Sequence, residues 1–254
     1  MNKQPVSIDS LGFADIHCHM LAKVDDGPQT AEEMTRMARL ARDTGTDVIC
    51  FTPHSGVFGQ DLDAEYLKAT FAQAVLRLRE DFPTMRFYLG SELFYSCDIP
   101  EKLQKGSYLP INGSRYILVE FSTSADLFNI KNGIKFITMA GYVPILAHVE
   151  RYKAIYPNRD IIKNLKKMGA VIQVNSRHVA ERNLFGANKC KPLLRDGLVD
   201  IIASDCHNTE NRSPDMQNCY EYLCQNFGKK YADTLMKINP RLILANKKLP
   251  KLPF

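Results

Sequence analysis

The spacing of apolar and polar positions switches between two periods along the chain. Short runs rich in β-branched and other apolar residues read as strands: Phe13–His19, Val48–Thr52, Phe87–Glu92, Tyr116–Phe121, Val143–His148, Val171–Asn175 and Ile201–Asp205. Between them, apolar residues recur every three or four positions, which is the spacing of one helix face. The clearest such stretch, Thr30–Thr44, opens on a Thr30/Glu33 capping box, carries Met34, Met37, Ala38 and Ala41 on one side, and stops at Gly45. Asp63–Glu80 repeats the pattern with Leu67, Phe71, Ala74, Val75 and Leu78. Weaker helical patterns fall at Ala125–Ala140, Arg159–Met168, Ala187–Arg195, Met216–Asn226 and Lys230–Ile238. Gly45, Gly141, Gly169 and Gly197 each end a helix just before a strand, a regular αβ connection. No Pro/Ser-rich linker interrupts the alternation, so residues 1–254 are expected to form a single α/β domain. The pattern fits a β/α barrel or a doubly wound open sheet equally well.

Bulk properties narrow the classes. A length of 254 residues, with 45% hydrophobic and 24% charged residues, suits a soluble chain folded as one β/α barrel. No apolar run reaches the 18 or so residues of a membrane span, and Met1–Gly12 lacks the apolar segment of a signal peptide. The seven cysteines are scattered without a CxxC pair. That usage fits a reducing compartment, and a cytoplasmic location is expected. The net charge of +5 is modest, and no aromatic-basic run accompanies it. Nucleic acid is therefore not an expected partner.

The informative residues are the polar ones at the strand ends. Strand one delivers His17-Cys18-His19, strand two Thr52-Pro53-His54 and strand three Gly90-Ser91-Glu92. Strand four ends in Glu120 and strand five in His148, followed by Glu150-Arg151-Tyr152. Strand seven ends in Ser204-Asp205-Cys206-His207. In a β/α barrel these ends meet at one mouth, where active sites lie. A lone histidine is usually a packing residue, but five of the six histidines occupy these positions together with carboxylates. The alternation of side chains puts His17 and His19 on one side and Cys18 on the other, and Cys206 is likewise set apart from Asp205 and His207. The two cysteines are read as packing residues. His178 falls outside the pattern and is read as a loop residue. Imidazoles and carboxylates without thiolates favour Mn, Fe or Zn, and the donors outnumber what one tetrahedral ion needs, which implies a cluster.

In sequence order, these motifs resemble those of the PHP (polymerase and histidinol phosphatase) superfamily over about Ala14 to Asn246. Within it, the chain is most similar to the bacterial PHP-type protein-tyrosine phosphatases of capsule and exopolysaccharide clusters. The residues that carry this likeness are Asp15-Ile16-His17-Cys18-His19, Val24-Asp25-Asp26-Gly27-Pro28, Thr52-Pro53-His54, Leu146-Ala147-His148-Val149-Glu150-Arg151-Tyr152, Ile172-Gln173-Val174-Asn175 and Ala203-Ser204-Asp205-Cys206-His207-Asn208. The ending Asn239-Pro240-Arg241-Leu242-Ile243-Leu244-Ala245-Asn246 is similar to the last helix of that family.

The resemblance implies a distorted (β/α)7 TIM-like barrel, the PHP fold. It implies two to three ions per chain, with Mn2+ expected and Fe or Zn as alternatives. His17, His19, Glu92 and Asp205 would hold one ion. Glu92 would bridge to a second, shared with Glu120 and His148, and Asp26, His54 and His207 would hold the third. Arg151 and Arg212 would take the phosphate. The implied substrate is a phosphotyrosine protein, the tyrosine-rich tail of a bacterial tyrosine autokinase that controls polysaccharide export. Val57 and Phe58, in the 55–60 segment, are expected to pack on the tyrosine ring. Three other activities share parts of this motif set: a histidinol-phosphate phosphatase, an exonuclease, and a non-catalytic PHP metal-binding module.

Overall fold

A computed structural model describes residues 7–56, 61–180 and 190–250. The expected contacts of Val57 and Phe58, and the first part of the Ala187–Arg195 helix, lie outside these residues.

The described residues form nine strands: β1 (Phe13–Cys18), β2 (Thr46–Phe51), β3 (His54–Ser55), β4 (Arg86–Leu89), β5 (Glu92–Phe94), β6 (Tyr116–Glu120), β7 (Val143–Leu146), β8 (Val171–Asn175) and β9 (Ile201–Ala203). All pairings are parallel, in the orders β1-β2-β4 and β3-β5-β6-β7-β8-β9. The expected single strand Phe87–Glu92 is thus two strands in two sheets. The break falls at Gly90, where a side chain would press to 2.9 Å from Ile111 Cδ1, and at Pro53 on the neighbouring strand, which has no N–H for the ladder. Pairing resumes at once. Gly90 N donates to Phe51 O at 2.9 Å and Glu92 N to Pro53 O at 3.0 Å, so the sheets are one wall with a crease.

The wall curls until its ends meet. Asp205 N donates to His17 O at 2.8 Å and His19 N to Cys206 O at 2.9 Å, around a parallel bridge between Cys18 and Cys206. Counting β2 with β3 and β4 with β5, seven strand positions follow one another in chain order around the wall, and the last adjoins the first. That order is a barrel and excludes the open doubly wound sheet.

The helices are α1 (Ala31–Asp43), α2 (Ala64–Asp81), α3 (Ile99–Gln104), α4 (Leu127–Met139), α5 (Arg159–Lys167), α6 (Ser176–Ala180), α7 (Lys191–Arg195), α8 (Gln217–Phe227), α9 (Lys229–Asp233) and α10 (Asn239–Leu244), with a π-helical turn at Thr234–Ile238. The Thr30/Glu33 capping box is present, and α1 buries Met34, Met37, Ala38 and Ala41. Gly45 and Gly169, at φ 95° and 103°, make the left-handed exits that only glycine adopts without strain. One apolar cluster gathers residues from β1, β2, β6, β7, β8 and β9, among them Ile16, Val48, Leu118, Ile145, Val171 and Ile201. Drawn from so many strands, it fills the barrel, and Ile243 and Leu244 of α10 close it at the end where the strands begin. Among the described residues no helix is long and apolar enough to cross a membrane.

Candidate metal centre

Apart from Asp26, each candidate donor sits at or just past the end of a strand segment, or where the crease restarts one. His17 lies in β1 and His19 one residue beyond it. Asp26 follows on the loop to α1. His54 and Glu92 are the first residues of β3 and β5 and face each other in register, and Glu120 ends β6. His148 and Asp205 lie past β7 and β9 in the left-handed region, at φ 33° and 54°. Non-glycine residues rarely stay there, and such strain gathers at functional sites.

The donors converge. His17 Nε2 stands 3.3 Å from His19 Nε2, 3.2 Å from Glu92 Oε1 and 3.5 Å from Asp205 Oδ1. His19 Nε2 lies 3.2 Å from Glu92 Oε2. His54 Nδ1 is 3.0 Å from Glu92 Oε2 and 3.8 Å from Glu120 Oε2. His148 Nε2 is 3.1 Å from Glu92 Oε1 and 3.4 Å from Glu120 Oε1. Asp26 Oδ1 lies 3.1 Å from His207 Nε2 and 3.6 Å from His54 Nε2. Glu92 is the hub, contacting four imidazoles.

A metal fits this geometry. Donors about 2.1 Å from one cation sit about 3.0–3.4 Å from each other in octahedral or tetrahedral arrangements. His54 Nδ1, His207 Nε2 and Glu92 Oε2 are buried without a hydrogen bond, which is costly unless a cation completes them. Sets of three or four donor atoms lie mutually within 4.8 Å: His19/Asp26/His54/His207, His17/His19/Asp205 and His54/Glu92/Glu120. His54 belongs to two of them, one through each ring nitrogen's neighbours, and His19 is likewise shared. A further grouping, Asp15/Cys18/Cys206, is not suited to an ion: burial pushes the Cys18 thiol well up, and Asp15 is committed to the backbone and hydroxyl of Ser204.

A supporting layer aims the imidazoles. His17 Nδ1 donates to Gln173 Oε1 at 3.2 Å, His19 Nδ1 to Asp25 Oδ2 at 2.7 Å, and His207 Nδ1 to the Asp205 carbonyl at 3.1 Å. Each bond leaves the Nε2 lone pair toward the centre. Gln173 Oε1 also accepts from His148 N at 2.6 Å, its Nε2 donates to Asn175 Oδ1, and Asn175 Nδ2 holds Asp205 Oδ2 at 2.7 Å. Gly27 lets the Asp25–Asp26 loop close on His19, whose carbonyl oxygen would be 1.9 Å from any Cβ there. Roles for Asp25, Gln173 and Asn175 were not read from the sequence. The signal was two amides at alternate positions of an otherwise apolar strand, both fully buried.

Charge follows from this crowding. Burial opposes the charge on His17, but Glu92 and Asp205 outweigh it and raise its pKa. Burial also opposes the charge on His19, which Asp25 and Glu92 nevertheless hold well above the ordinary histidine range. Burial works against Glu92 ionising too, yet its imidazole neighbours bring it well below the usual carboxylate range. Burial, then repulsion from Glu92, pushes Glu120 up. Asp205 is buried but lowered to about 2 by the surrounding histidines. His207 shifts down because burial outweighs its pull from Asp26, whereas Asp26, 59% exposed, remains easy to ionise.

The two arginines differ. Arg212 is held by Asp205 Oδ1 at 2.7 Å, with Asp26 Oδ2 at 3.8 Å and its own Nε buried without a partner. Arg151 is exposed and lines a recess of about 460 Å³ with Glu150, Lys153, Arg177 and His178. His178 is not a loop residue: it lies in the short helix α6, and its Nδ1 donates at 2.7 Å to the buried Glu150 Oε1. Cys18 and Cys206 are fully buried in an apolar cluster.

Comparison with known proteins shows the chain's family and fold. The sequence profile of the family described as capsular polysaccharide synthesis, CpsB/CapC, matches residues 13–245. The chain is 34% identical over 238 residues to the tyrosine-protein phosphatase CpsB of Streptococcus pneumoniae, covering 91% of this chain and 97% of that one. It is 30% identical to the tyrosine-protein phosphatase YwqE of Bacillus subtilis, covering 94% of each. A crystal structure from work on YwqE and CpsB as metal-dependent tyrosine phosphatases superposes with a TM-score of 0.86 at 28% identity, covering 94% of this chain and 97% of that one. A phosphotriesterase homology protein from Escherichia coli, 11% identical with a TM-score of 0.59, shares the fold.

Proposed function

This chain belongs to the CpsB/CapC family of capsular polysaccharide synthesis, and from that premise we propose that it is a metal-dependent phosphatase that hydrolyses phosphotyrosine on a protein. The observation that carries the reading is the convergence of five histidines and four carboxylates at the barrel mouth, with buried donor atoms left bare. His17, His19, Glu92 and Asp205 would hold one ion. Glu92 would also serve a second, together with Glu120 and His148. Asp26, His54 and His207 would hold a third, and the 3.0 Å approach of His54 Nδ1 to Glu92 supports a place for His54 between two of the sites. Mn2+ suits this oxygen-and-imidazole set, with Fe or Zn as alternatives. When bound, the ions supply positive charge for the phosphate dianion and Lewis acidity that makes water nucleophilic near neutral pH.

The chain's own residues supply the rest. Asp205 orients Arg212, and Arg151 stands at the rim. Both guanidiniums can grip phosphate oxygens in pairs, as an ammonium cannot. Water attacks phosphorus opposite the phenolic oxygen, the ester P–O bond breaks, and tyrosine leaves as a phenolate that takes its proton from solvent. A phenolate is stable enough to leave without a strong general acid. The substrate is a flexible tyrosine-rich tail of a bacterial tyrosine autokinase, met in the cytoplasm, since a tail can reach a mouth at one end of a barrel without any rearrangement of the wall.

The test is elemental analysis of the purified protein together with turnover of a phosphotyrosine peptide, histidinol phosphate and single-stranded DNA, each with and without Mn2+. More than one transition metal per chain and metal-dependent release of phosphate from the peptide are expected. Rapid turnover of histidinol phosphate with none of the peptide would assign the site to small-molecule phosphates instead.

A further inference from the structure

Two recesses lie at the mouth, one lined by the donors Asp26 and His207 and the other by Glu150 and Arg151 just beyond the donor His148, and their charged linings differ in sign. One adjoins Asp26 and His207 on the loops after β1 and β9. Its charged lining is Asp26, Glu33 and Glu210 against Arg36, in about 390 Å³. The other follows β7 and β8 and contains Arg151, Lys153 and Arg177 against Glu150, in about 460 Å³. In strand order around the wall β9 adjoins β8, so the recesses occupy separate but neighbouring sectors of the mouth.

Among the described residues, the cations of the basic recess outnumber its carboxylate. Arg151 and Lys153 are exposed and have no ion-pair partner among the described residues. The bond described for Arg177 is a long one, 3.4 Å from Nη1 to the Asn211 carbonyl. The single carboxylate is engaged elsewhere: Glu150 Oε1 accepts from His178 Nδ1 at 2.7 Å and from Asn175 N at 3.0 Å, and its side chain is 1% exposed. Through Glu150 and Asn175 the wall of the recess is tied to Asp205, so the recess and the centre are held in fixed relation.

We propose that this recess is a second anion subsite, taking an acidic side chain, carboxylate or phosphate, next to the phosphotyrosine in the substrate chain. The inference rests on the phosphotyrosine reading above. It adds a direction. A polypeptide crossing the mouth with its phosphotyrosine at the cluster lays one flank over Lys153 and Arg177 and the other toward Glu33 and Glu210. Negative charge then favours binding on one side of the phosphotyrosine and opposes it on the other. Because the cations are at the surface, the effect is modest and screened by salt.

The test uses the full-length, Mn2+-loaded protein and phosphotyrosine peptides whose flanks are neutral, glutamate-rich on the N-terminal side, glutamate-rich on the C-terminal side, or doubly phosphorylated. Glutamate on one side is expected to lower KM about fivefold relative to neutral, with kcat unchanged and the gain shrinking as salt rises. The doubly phosphorylated peptide shows whether phosphate does better than carboxylate. Lys153→Ala and Arg177→Gln should each reduce the preference and together abolish it, Lys153→Glu should reverse it, and p-nitrophenyl phosphate turnover should stay at the parent value throughout. A parent indifferent to flank charge, a preference equal on both sides, or a double variant that keeps it overturns the proposal. Anisotropy with non-hydrolysable phosphonate peptides separates this failure from that of the function. Cleft-dependent binding without hydrolysis of any phosphopeptide would keep the subsite and remove the phosphatase assignment. Loss of the flank preference with peptide turnover intact would do the reverse.

Discussion

The two ends of the barrel are built on opposite terms. Where the strands begin, polar groups close onto each other. Lys166 pairs with Asp200 at 2.6 Å, Asp200 also accepts from Ile172 N, and Arg241 binds Asp47 and the carbonyls of Gly12 and Lys237. Tyr116 Oη donates to Lys247 O at 2.8 Å and Asn112 Nδ2 to Leu244 O at 3.0 Å. Among the described residues, Thr46 Oγ1 and Asn239 Oδ1 are the buried side-chain atoms left without a partner at that end. Where the strands finish, carboxylates and imidazoles crowd together, two of them on left-handed backbone, with buried donors unfilled. The first end satisfies itself and serves stability. The second leaves buried donor atoms that a cation would complete, as a metal-dependent site requires.

The sharpest way to break this contrast is at the cluster. His17→Ala or Asp205→Ala should strip metal and cut phosphotyrosine turnover by roughly a thousandfold or more, about 4 kcal/mol of barrier, with the metal-free melting temperature little changed. Elemental analysis and kinetics on the same preparations check it, and either variant retaining both would contradict its role.

At the other end the expected losses change places. Arg241→Ala removes a charged anchor between α10, the start of β2 and the residue before β1. It should lower unfolding free energy by about 2 kcal/mol, read as a shifted urea midpoint, while kcat/KM and metal content hold. A fall in activity without loss of stability would erase the division between the ends.

Arg151→Lys keeps the charge but loses the planar fork. An increase in KM or a fall in kcat of about tenfold, about 1.4 kcal/mol, is expected on phosphotyrosine peptide. A lysine variant as good as the parent rules out paired hydrogen bonding by Arg151.

The gentlest probe is pH. In the metal-free protein His17 and His19 have raised pKa values, because Glu92, Asp205 and Asp25 outweigh the opposing effect of burial. A raised pKa means that protons compete for these nitrogens above the ordinary histidine range, so metal affinity rises with pH through about 6.5 and beyond. Metal retained on dialysis and phosphatase rate should therefore climb together from pH 6 to 8. A rate maximal well below pH 6 with metal still bound would be inconsistent with this.

Much of the site was legible because charged and imidazole residues at the ends of apolar runs have no packing reason to be there. The capping box at Thr30 and Glu33 was equally plain, being written within four residues. What stayed hidden depends on distant neighbours. The split of Phe87–Glu92 turns on Ile111 packing over Gly90 and on Pro53 in the adjoining strand, neither visible in the local period. His178 looked like a loop residue because a five-residue helix leaves no periodicity to read, and its partner Glu150 lies 28 positions away. Gln173 and Asn175 were noticed as a motif, but their work of orienting His17 and Asp205 exists only once the strands stand side by side.

The seam between β1 and β9 also bears on how the molecule comes into being. Ser204 donates to Asp15 across a separation of 189 residues, and the donors His17 and Asp205 face each other across the same join. A chain emerging from the ribosome exposes its first histidines long before their last partners are made. Closing so wide a loop is entropically costly and slow. A cation shared by His17 and Asp205, as proposed above, would act as a clasp, fastening the oldest part of the chain to nearly the newest, and a full complement of metal would then certify that synthesis has run through the last strand.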